Sequence, residues 1–184
     1  QRQMCIRDRR GAEVTLVAGP VSLKTHHPAI KRIDVESAGE MYQAAMTAFP
    51  SSDAAILCAA VADYRPENAS EQKIKRETER EMTLHLVPNP DIAASLGAIK
   101  REGQVMVGFA LETNDEATHA EGKLKRKNLD FIVLNSLRDQ GAGFRCDTNK
   151  ITIIDNAGGV TSYPLKTKRE VACDIVNKLV TLLK

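Results

Sequence analysis

Short runs of aliphatic and β-branched residues recur along the chain and alternate with longer segments whose apolar residues are three and four positions apart. The short runs predict β-strands at residues 14–18, 54–58, 83–87, 105–110 and 131–134. The longer segments predict helices at residues 38–49, 92–100 and 117–127. Because strands alternate with helices, we expect an α/β protein in which helices cover a mainly parallel sheet.

The pattern changes near the C-terminus. Two strand-like runs, at residues 150–155 and 160–163, flank the turn signal Asn-Ala-Gly-Gly, so a β-hairpin is expected there. The final segment, residues 168–184, places Val171, Ile175 and Leu179 on one face and charged residues elsewhere. This spacing predicts an amphipathic helix that closes the sheet.

Composition sets limits on the class of protein. A chain of 184 residues with 42% hydrophobic content can form one well-buried core, and 26 basic against 24 acidic residues give no basic surface for nucleic acid. No apolar run is long enough to span a bilayer. Four cysteines (Cys5, Cys58, Cys146 and Cys173) form no Cys-x-x-Cys pair, which fits a reducing compartment. We therefore expect a cytoplasmic protein with no nucleic-acid or membrane partner.

The start of the chain differs from the rest. Residues 1–9 match no secondary-structure pattern, and we interpret them as a non-native or disordered stretch. Gly11 stands where a helix C-cap would stand before a strand, which requires a helix upstream. The folded domain is therefore expected to cover residues 10–184 and to lack its first βα unit.

Asp63 directly follows the six apolar residues 57–62, and Lys73 comes ten positions later. Ligands of open α/β sheets bind outside the carboxyl ends of the strands, so polar residues at such an end are binding-site candidates. Asp63 can either cap amides in a turn or bind ribose hydroxyls or a metal–phosphate unit. Lys73 and Lys75 flank Ile74 and can either form a solvated charge run or neutralise phosphates.

Three further segments carry candidate chemistry. The turn formed by Asn89, Pro90, Asp91 and Ile92 leads into a predicted helix, with Asn89 as the expected N-cap and the helix N-terminus as a possible anion site.

Phe109 follows Gly108, which permits close approach of another group, and can stack on a base or pack in the core. Lys123 and Lys127 share one helix face, where they complement the helix dipole or bind a polyphosphate together.

These motifs, in their order and spacing, closely resemble the phosphopantothenate-cysteine ligase (phosphopantothenoylcysteine synthetase) family. The resemblance covers about residue 10 to the C-terminus. It rests on the segments 19–21, 59–65, 73–75, 89–92, 108–113 and 127–130. In bacteria this ligase is usually the C-terminal half of a bifunctional protein of coenzyme A synthesis whose N-terminal half is a flavin-dependent decarboxylase. FMN is therefore implied only if that half is present.

The resemblance implies a three-layer α/β domain of the Rossmann-like or ribokinase-like kind and a homodimer. It also implies that CTP activates the carboxylate of 4′-phosphopantothenate as an acyl-cytidylate, with Mg²⁺, before L-cysteine displaces CMP. Lys73 would stabilise charge on the reacting phosphate. The implied CTP contacts are Leu57, Cys58, Ala59, Asp63, Lys73, Asn89, Pro90, Asp91, Ile92, Phe109, Lys123 and Lys127.

Two alternatives stay open at this stage. The family begins with a strand, a glycine-rich turn and a helix bearing a catalytic asparagine, and no such segment precedes Arg10. The chain can therefore also be a nucleotide-binding module without ligase activity. A dinucleotide-dependent oxidoreductase is disfavoured because no Gly-x-Gly-x-x-Gly motif occurs. Neither CTP over ATP nor the Mg²⁺ ligands can be assigned from the residues.

Overall fold

The computed structural model describes residues 11–23, 25, 27–68, 70, 82–112, 116–136 and 147–183. Over these residues it has the helices α1 (Ala38–Ala48), α2 (Ile92–Ile99), α3 (Glu116–Arg126) and α4 (Lys168–Leu182), with a 3₁₀ turn at Phe49–Ser51 after α1. The strands are β1 (Val14–Ala18), β2 (Ile30–Asp34), β3 (Ala54–Leu57), β4 (Tyr64–Pro66), β5 (Leu86–Pro88), β6 (Val105–Glu112), β7 (Phe131–Ser136), β8 (Thr148–Asn149), β9 (Ile151–Asp155), β10 (Val160–Ser162) and β11 (Lys166–Thr167).

The main sheet has five strands in the order β10-β9-β7-β6-β3. Strands β3, β6 and β7 are parallel, whereas β9 and β10 run antiparallel to their neighbours and form the predicted hairpin. The expected α/β class with a mainly parallel sheet is therefore confirmed, as are the three central strands. The carboxyl end of β3 lies beside the middle of β6, with Leu57 paired to Gly108, and β6 continues to Glu112.

Both faces of this sheet are buried. Met106 belongs to the core cluster on the side of α2 and α3, together with Leu96 and Leu124. Val107, the next residue of β6, belongs to the opposite cluster, where Ile175 of α4 packs. Successive strand residues point to opposite faces, so β6 contributes to both clusters and the domain has three layers.

Local capping explains where the helices begin. Ser37 Oγ accepts a hydrogen bond from the Glu40 N–H at the start of α1. Thr167 and Glu170 form a reciprocal capping box at the start of α4. The predicted apolar face of α4 is buried at Val171, Ile175 and Leu179, as expected for a helix that covers the sheet.

The sheet is interrupted between β1 and β3. Among the described residues β1 pairs only with β2, in parallel, and β3 pairs only with β6. Residues 14–17 of β1 and residues 54–57 of β3 nevertheless line one and the same cavity. Ala45 of α1 and Leu179 of α4 line it as well. Two strands that are not paired with each other therefore border one space, and apolar residues of helices α1 and α4 also line it.

Some predicted elements were wrong or missing. The run at 83–87 was expected to be a strand of the sheet, but the strand is Leu86–Pro88, which pairs antiparallel with Tyr64–Pro66 in a separate two-stranded ribbon. Its register is set by the pairing of Tyr64 with Pro88, which hydrophobicity alone does not encode. Strand β2 was not predicted, because three of its five residues are charged.

The expectation for residues 1–9 lies outside the described residues, as do Lys73 and Lys75. Gly11 has a φ of 78°, the left-handed conformation expected of a C-cap glycine. In the described part of the chain, no helix combines the length and apolar character needed to cross a membrane.

Candidate nucleotide site

The cavity between β1 and β3, of about 1030 Å³, extends past the carboxyl end of β3 and reaches Gly108 and Phe109 of β6. Every predicted nucleotide contact that lies in the described residues lines it: Leu57, Cys58, Ala59, Asp63, Asn89, Pro90, Asp91, Ile92, Phe109, Lys123 and Lys127. Segments that are far apart in the chain therefore meet at one place. Lys73, the remaining predicted contact, lies outside the described residues.

The loop after β3 forms one wall of the cavity. Cys58 and Ala59 are exposed, so their backbone groups are accessible to a ligand, and Asp63 is exposed as well. Within the described part of the chain, the Asp63 carboxylate has no hydrogen-bond or ion-pair partner. The alternative that Asp63 caps amides in a turn is therefore not supported by its contacts with the described residues, and Asp63 lines the cavity.

The turn before α2 forms the adjacent wall, and here the predicted N-cap was wrong. Asp91, not Asn89, caps the helix, because Asp91 Oδ1 accepts a hydrogen bond from the Ala94 N–H at 3.1 Å. Asn89 lies two residues earlier, and its side chain is turned back toward the β3 loop. Its Nδ2 donates to the Ala62 carbonyl oxygen at 2.8 Å. Asn89 therefore ties the two walls together.

Asp91 also holds a lysine. The Lys127 Nζ lies 3.1 Å from Asp91 Oδ2, with the two side chains 23% and 49% exposed. Partial burial raises the pKa of the Asp91 carboxyl. The hydrogen bonds from the Ala94 N–H and Lys127, with the charges of Lys127 and Arg126, outweigh burial, so this pKa lies below its ordinary value. The carboxylate is thus charged at neutral pH and keeps Lys127 beside the N-terminus of α2.

Lys123 and Lys127 both border the cavity, as their four-residue spacing predicted. Lys123 is half-buried near the C-terminal end of α3, where cations complement the helix dipole. The two ammonium groups and the N-terminus of α2 are positive features of the cavity wall, and the Asp91 carboxylate that pairs with Lys127 offsets part of this charge. An anionic ligand would be stabilised there.

Phe109 packs in the core and also borders the cavity. It is half-buried against the core cluster beneath α4. Gly108 lies beside it, and a Cβ at this position would come within 2.6 Å of Leu129 Cδ1. The close approach expected at Gly108 therefore exists, but the approaching group is the Leu129 side chain.

Arg65 was not identified from the sequence as a site residue, although it lies only two residues after Asp63. Its Nη1 donates to the Pro88 carbonyl oxygen at 2.9 Å and to Asn89 Oδ1 at 3.3 Å. The pairing of β4 with β5 brings these residues together, so only knowledge of that ribbon could have suggested the contact.

The described residues contain no group of three His, Cys, Asp or Glu side chains that could hold a metal ion. Mg²⁺ is commonly held by one or two carboxylates together with substrate phosphates. The Asp63 carboxylate fits that limited requirement, since Asp63 lines the cavity and none of the residues described in the structure binds its carboxylate.

Comparison with known proteins gives consistent results. The chain is 57% identical over 173 residues to a protein named cysteine/cysteine sulfinic acid decarboxylase from an unknown prokaryotic organism. It is 45% identical over 174 residues to the coenzyme A biosynthesis bifunctional protein CoaBC of Vibrio parahaemolyticus serotype O3:K6 (strain RIMD 2210633). The alignments cover 94% of this chain but only 48% and 43% of those proteins. The chain thus spans less than half the length of these relatives.

The fold is also similar to a solved structure, the C-terminal domain of coenzyme A biosynthesis bifunctional protein CoaBC. The TM-score is 0.81 at 35% identity, covering 99% of this chain and 82% of that one. The family model described as DNA/pantothenate metabolism flavoprotein C-terminal domain matches residues 5–183. By this match and by its similarity to CoaBC, the chain belongs to the DNA/pantothenate metabolism flavoprotein C-terminal domain family.

Proposed function

We propose that this chain is the ligase part of a coenzyme A biosynthesis protein and that it joins 4′-phosphopantothenate to L-cysteine with CTP as co-substrate. The observation that carries the proposal is the convergence of residues 57–63, 89–92, Phe109, Lys123 and Lys127 on one cavity. Membership of the family and similarity to CoaBC support the same conclusion.

In this proposal each part of the cavity wall binds a different part of the nucleotide. Backbone groups at residues 57–59 and the ring of Phe109 receive the base and sugar, and Asp63 binds either the ribose hydroxyls or Mg²⁺ on the phosphates. Lys123, Lys127 and the N-terminus of α2 receive the phosphates. Basic groups and helix N-termini are favourable partners for phosphate because both supply positive charge and N–H donors.

The reaction has two displacement steps. A carboxylate oxygen of 4′-phosphopantothenate attacks the α-phosphorus of CTP, an O–P bond forms, and pyrophosphate leaves. The cysteine amine then attacks the acyl carbon, a C–N bond forms, CMP leaves and the amine loses a proton. The protein contributes mainly by aligning the reactants and stabilising phosphate charge. Lys73 would stabilise the charge on the reacting phosphate, and Mg²⁺ when bound would neutralise the triphosphate.

The interrupted sheet supports one addition to this proposal. Residues of β1 and β3 border a space whose lining includes apolar residues of α1 and α4, so a strand placed there would be buried on both faces. We propose that a further strand fills this space in the working enzyme. The same interruption favours a second candidate function, in which the chain alone is a nucleotide-binding module without ligase activity.

A homodimer acting in the cytoplasm is also part of the proposal. Apolar side chains on and beside the β4–β5 ribbon are exposed, at Tyr64, Met82, Leu84 and Leu86. Such a surface is suited to contact with a second copy. Light scattering of the purified chain at several concentrations would measure the oligomeric state, and a monomer throughout would contradict this part.

One assay separates the two candidate functions. The chain is incubated with CTP, Mg²⁺, 4′-phosphopantothenate and cysteine; pyrophosphate release and phosphopantothenoylcysteine are measured, and CTP binding is determined by calorimetry. Turnover supports the ligase, and CTP binding without turnover supports the module. The absence of both turnover and CTP binding would overturn both functions. Parallel measurements with ATP test the choice of CTP.

The role of Lys73 is tested with a matched pair of variants. Lys73→Ala should lower the rate of pyrophosphate release by at least about 100-fold, the order expected when one charge-stabilising group is lost. Lys75→Ala, which removes a lysine two residues away, should retain most of the activity. Equal losses in the two variants would contradict a specific role for Lys73.

A further inference from the structure

The β3 loop and the turn before α2 are joined at Asn89. The Asn89 backbone N–H donates to the Asp63 carbonyl oxygen at 2.8 Å, and the side-chain Nδ2 donates to the Ala62 carbonyl oxygen at 2.8 Å. One residue therefore binds two consecutive carbonyls of the loop that carries Asp63. The position of the Asp63 side chain in the cavity wall depends on this pair of bonds.

The Asn89 amide can make both of its side-chain contacts in only one orientation. Its NH₂ must face the Ala62 carbonyl, so its oxygen faces the opposite way, where Arg65 Nη1 donates to it at 3.3 Å. The same Nη1 donates to the Pro88 carbonyl oxygen at 2.9 Å. A guanidinium has donors and no acceptor, so Arg65 favours this orientation and opposes the flipped amide.

Arg65 itself stays outside the cavity. Ala62, Asp63 and Asn89 line it, whereas Arg65 does not. Arg65 also belongs to β4, where it pairs with Val87 of β5, so its backbone is fixed by the ribbon. Arg65 would therefore affect the binding of a ligand only by positioning Asn89.

We propose that Arg65 is a positioning residue of the nucleotide site: its guanidinium orients the Asn89 amide, which holds the Asp63 loop against the turn before α2. The proposal rests on the proposed function for the identity of the ligand. The contacts themselves belong to the protein without ligand, so they can be measured separately.

The test compares Arg65→Met with Arg101→Met. Arg101 is a matched control because its Nη2 also donates to a proline carbonyl, that of Pro50, at 2.7 Å, and it does not line the cavity. Two quantities are measured on each variant: the dissociation constant for CTP with Mg²⁺ by calorimetry, and the hydrogen-exchange rate of the Asn89 backbone N–H in the unliganded protein by NMR.

Arg65→Met should weaken CTP binding about 10-fold, the scale of one lost hydrogen bond to a charged group. It should also speed exchange of the Asn89 N–H, while Arg101→Met changes neither. Arg65→Lys should recover part of the affinity, because an ammonium can still donate to one of the two acceptors. In a double-mutant cycle, Arg65→Met should have little further effect once Asn89 is alanine.

The outcomes separate the two hypotheses. If the unsubstituted chain does not bind CTP but Arg65→Met still speeds exchange at Asn89, the proposed function fails and the positioning role stands. If the unsubstituted chain binds CTP and Arg65→Met behaves like Arg101→Met, the positioning role is overturned. Additive effects of Arg65→Met and Asn89→Ala would overturn the positioning role too. If the unsubstituted chain does not bind CTP and Arg65→Met leaves exchange at Asn89 unchanged, both the proposed function and the positioning role are overturned.

Discussion

The ammonium of Lys127 lies 3.1 Å from Asp91 Oδ2, while Asp91 Oδ1 accepts the hydrogen bond that caps helix α2. One carboxylate thus links the start of α2 to the end of α3. It also keeps a lysine at a helix N-terminus, where the helix dipole alone would repel it. A phosphate in the cavity would meet a lysine that is already in place.

The two roles of Asp91 can be separated by substitution. Asparagine is as good an N-cap as aspartate, so Asp91→Asn should lie within about 0.5 kcal/mol of the unsubstituted chain. Asp91→Ala should lose about 1 kcal/mol because the Ala94 N–H loses its partner. Urea unfolding measures both values. If Asp91→Asn is as unstable as Asp91→Ala, the ion pair with Lys127 and not the cap provides the stabilisation.

Lys127 is expected to act on ligand binding more than on stability. Lys127→Met should raise the dissociation constant for CTP roughly 10-fold, since a charged hydrogen bond to phosphate is lost. Lys125→Met is the control, because Lys125 is exposed at the same end of α3 but does not line the cavity. Calorimetry at two salt concentrations should show a weaker salt dependence for Lys127→Met only. Similar losses in both variants would point to a general charge effect.

Gly97 in α2 packs against the backbone of Lys127. A Cβ at Gly97 would overlap the Lys127 carbonyl oxygen, and that oxygen is backbone and cannot rotate away. Gly97→Ala should therefore destabilise the protein by about 1–3 kcal/mol, as overpacking does, and should also weaken CTP binding by displacing Lys127.

Gly122 in α3 is the matched control for this substitution. Among the described residues, no atom lies within 4 Å of a Cβ at Gly122, so Gly122→Ala should stabilise the helix by about 0.5–1 kcal/mol. Thermal unfolding of the two variants should shift in opposite directions. A neutral Gly97→Ala would mean that α2 can move away from residue 127 at little cost.

Asp155 should make stability depend on pH. The hydrogen bond from Lys178 Nζ at 2.8 Å, followed by that from the Gly159 N–H at 2.7 Å, holds the pKa of the Asp155 carboxyl below its ordinary value. The unfolded chain therefore binds this proton first as the pH falls. The stabilisation is complete above about pH 5 and is lost as the pH falls through the lower pKa of the folded state.

Asp155→Asn should remove this part of the pH dependence and cost about 1 kcal/mol at pH 7. Asp34→Asn is the control, because the Asp34 side chain is 68% exposed in its ion pair with Arg32, and such pairs contribute little. Urea midpoints between pH 3 and pH 7 measure the difference. An Asp155→Asn curve that parallels the unsubstituted chain would contradict the assignment.

The sequence allowed the central elements to be predicted because their apolar patterns are strong. The strand at 14–18 has its predicted bounds, and the predicted strands at 105–110 and 131–134 extend two residues further. The rule that ligands bind outside the carboxyl ends of strands also identified Asp63 as a site candidate. The place of Lys123 and Lys127 follows instead from helix packing, because the C-terminal end of α3 leads into the amino end of β7.

The remaining features depend on contacts between distant residues. Asn89 and Asp91 flank Pro90 and have similar capping preferences, so local sequence could not decide which one caps α2. The ion pair of Lys127 with Asp91 joins two helices whose relative position is set by packing. Strand β2 is stabilised by its pairing with β1, which overrides the weak strand preference of its charged residues.

The interrupted sheet has a consequence for handling the protein. Along β1 and β3, backbone groups on one side of each strand lack a strand partner in the described part of the chain. Such groups are a template onto which an extended segment of another molecule can add. We therefore expect this chain to self-associate into larger particles as its concentration rises.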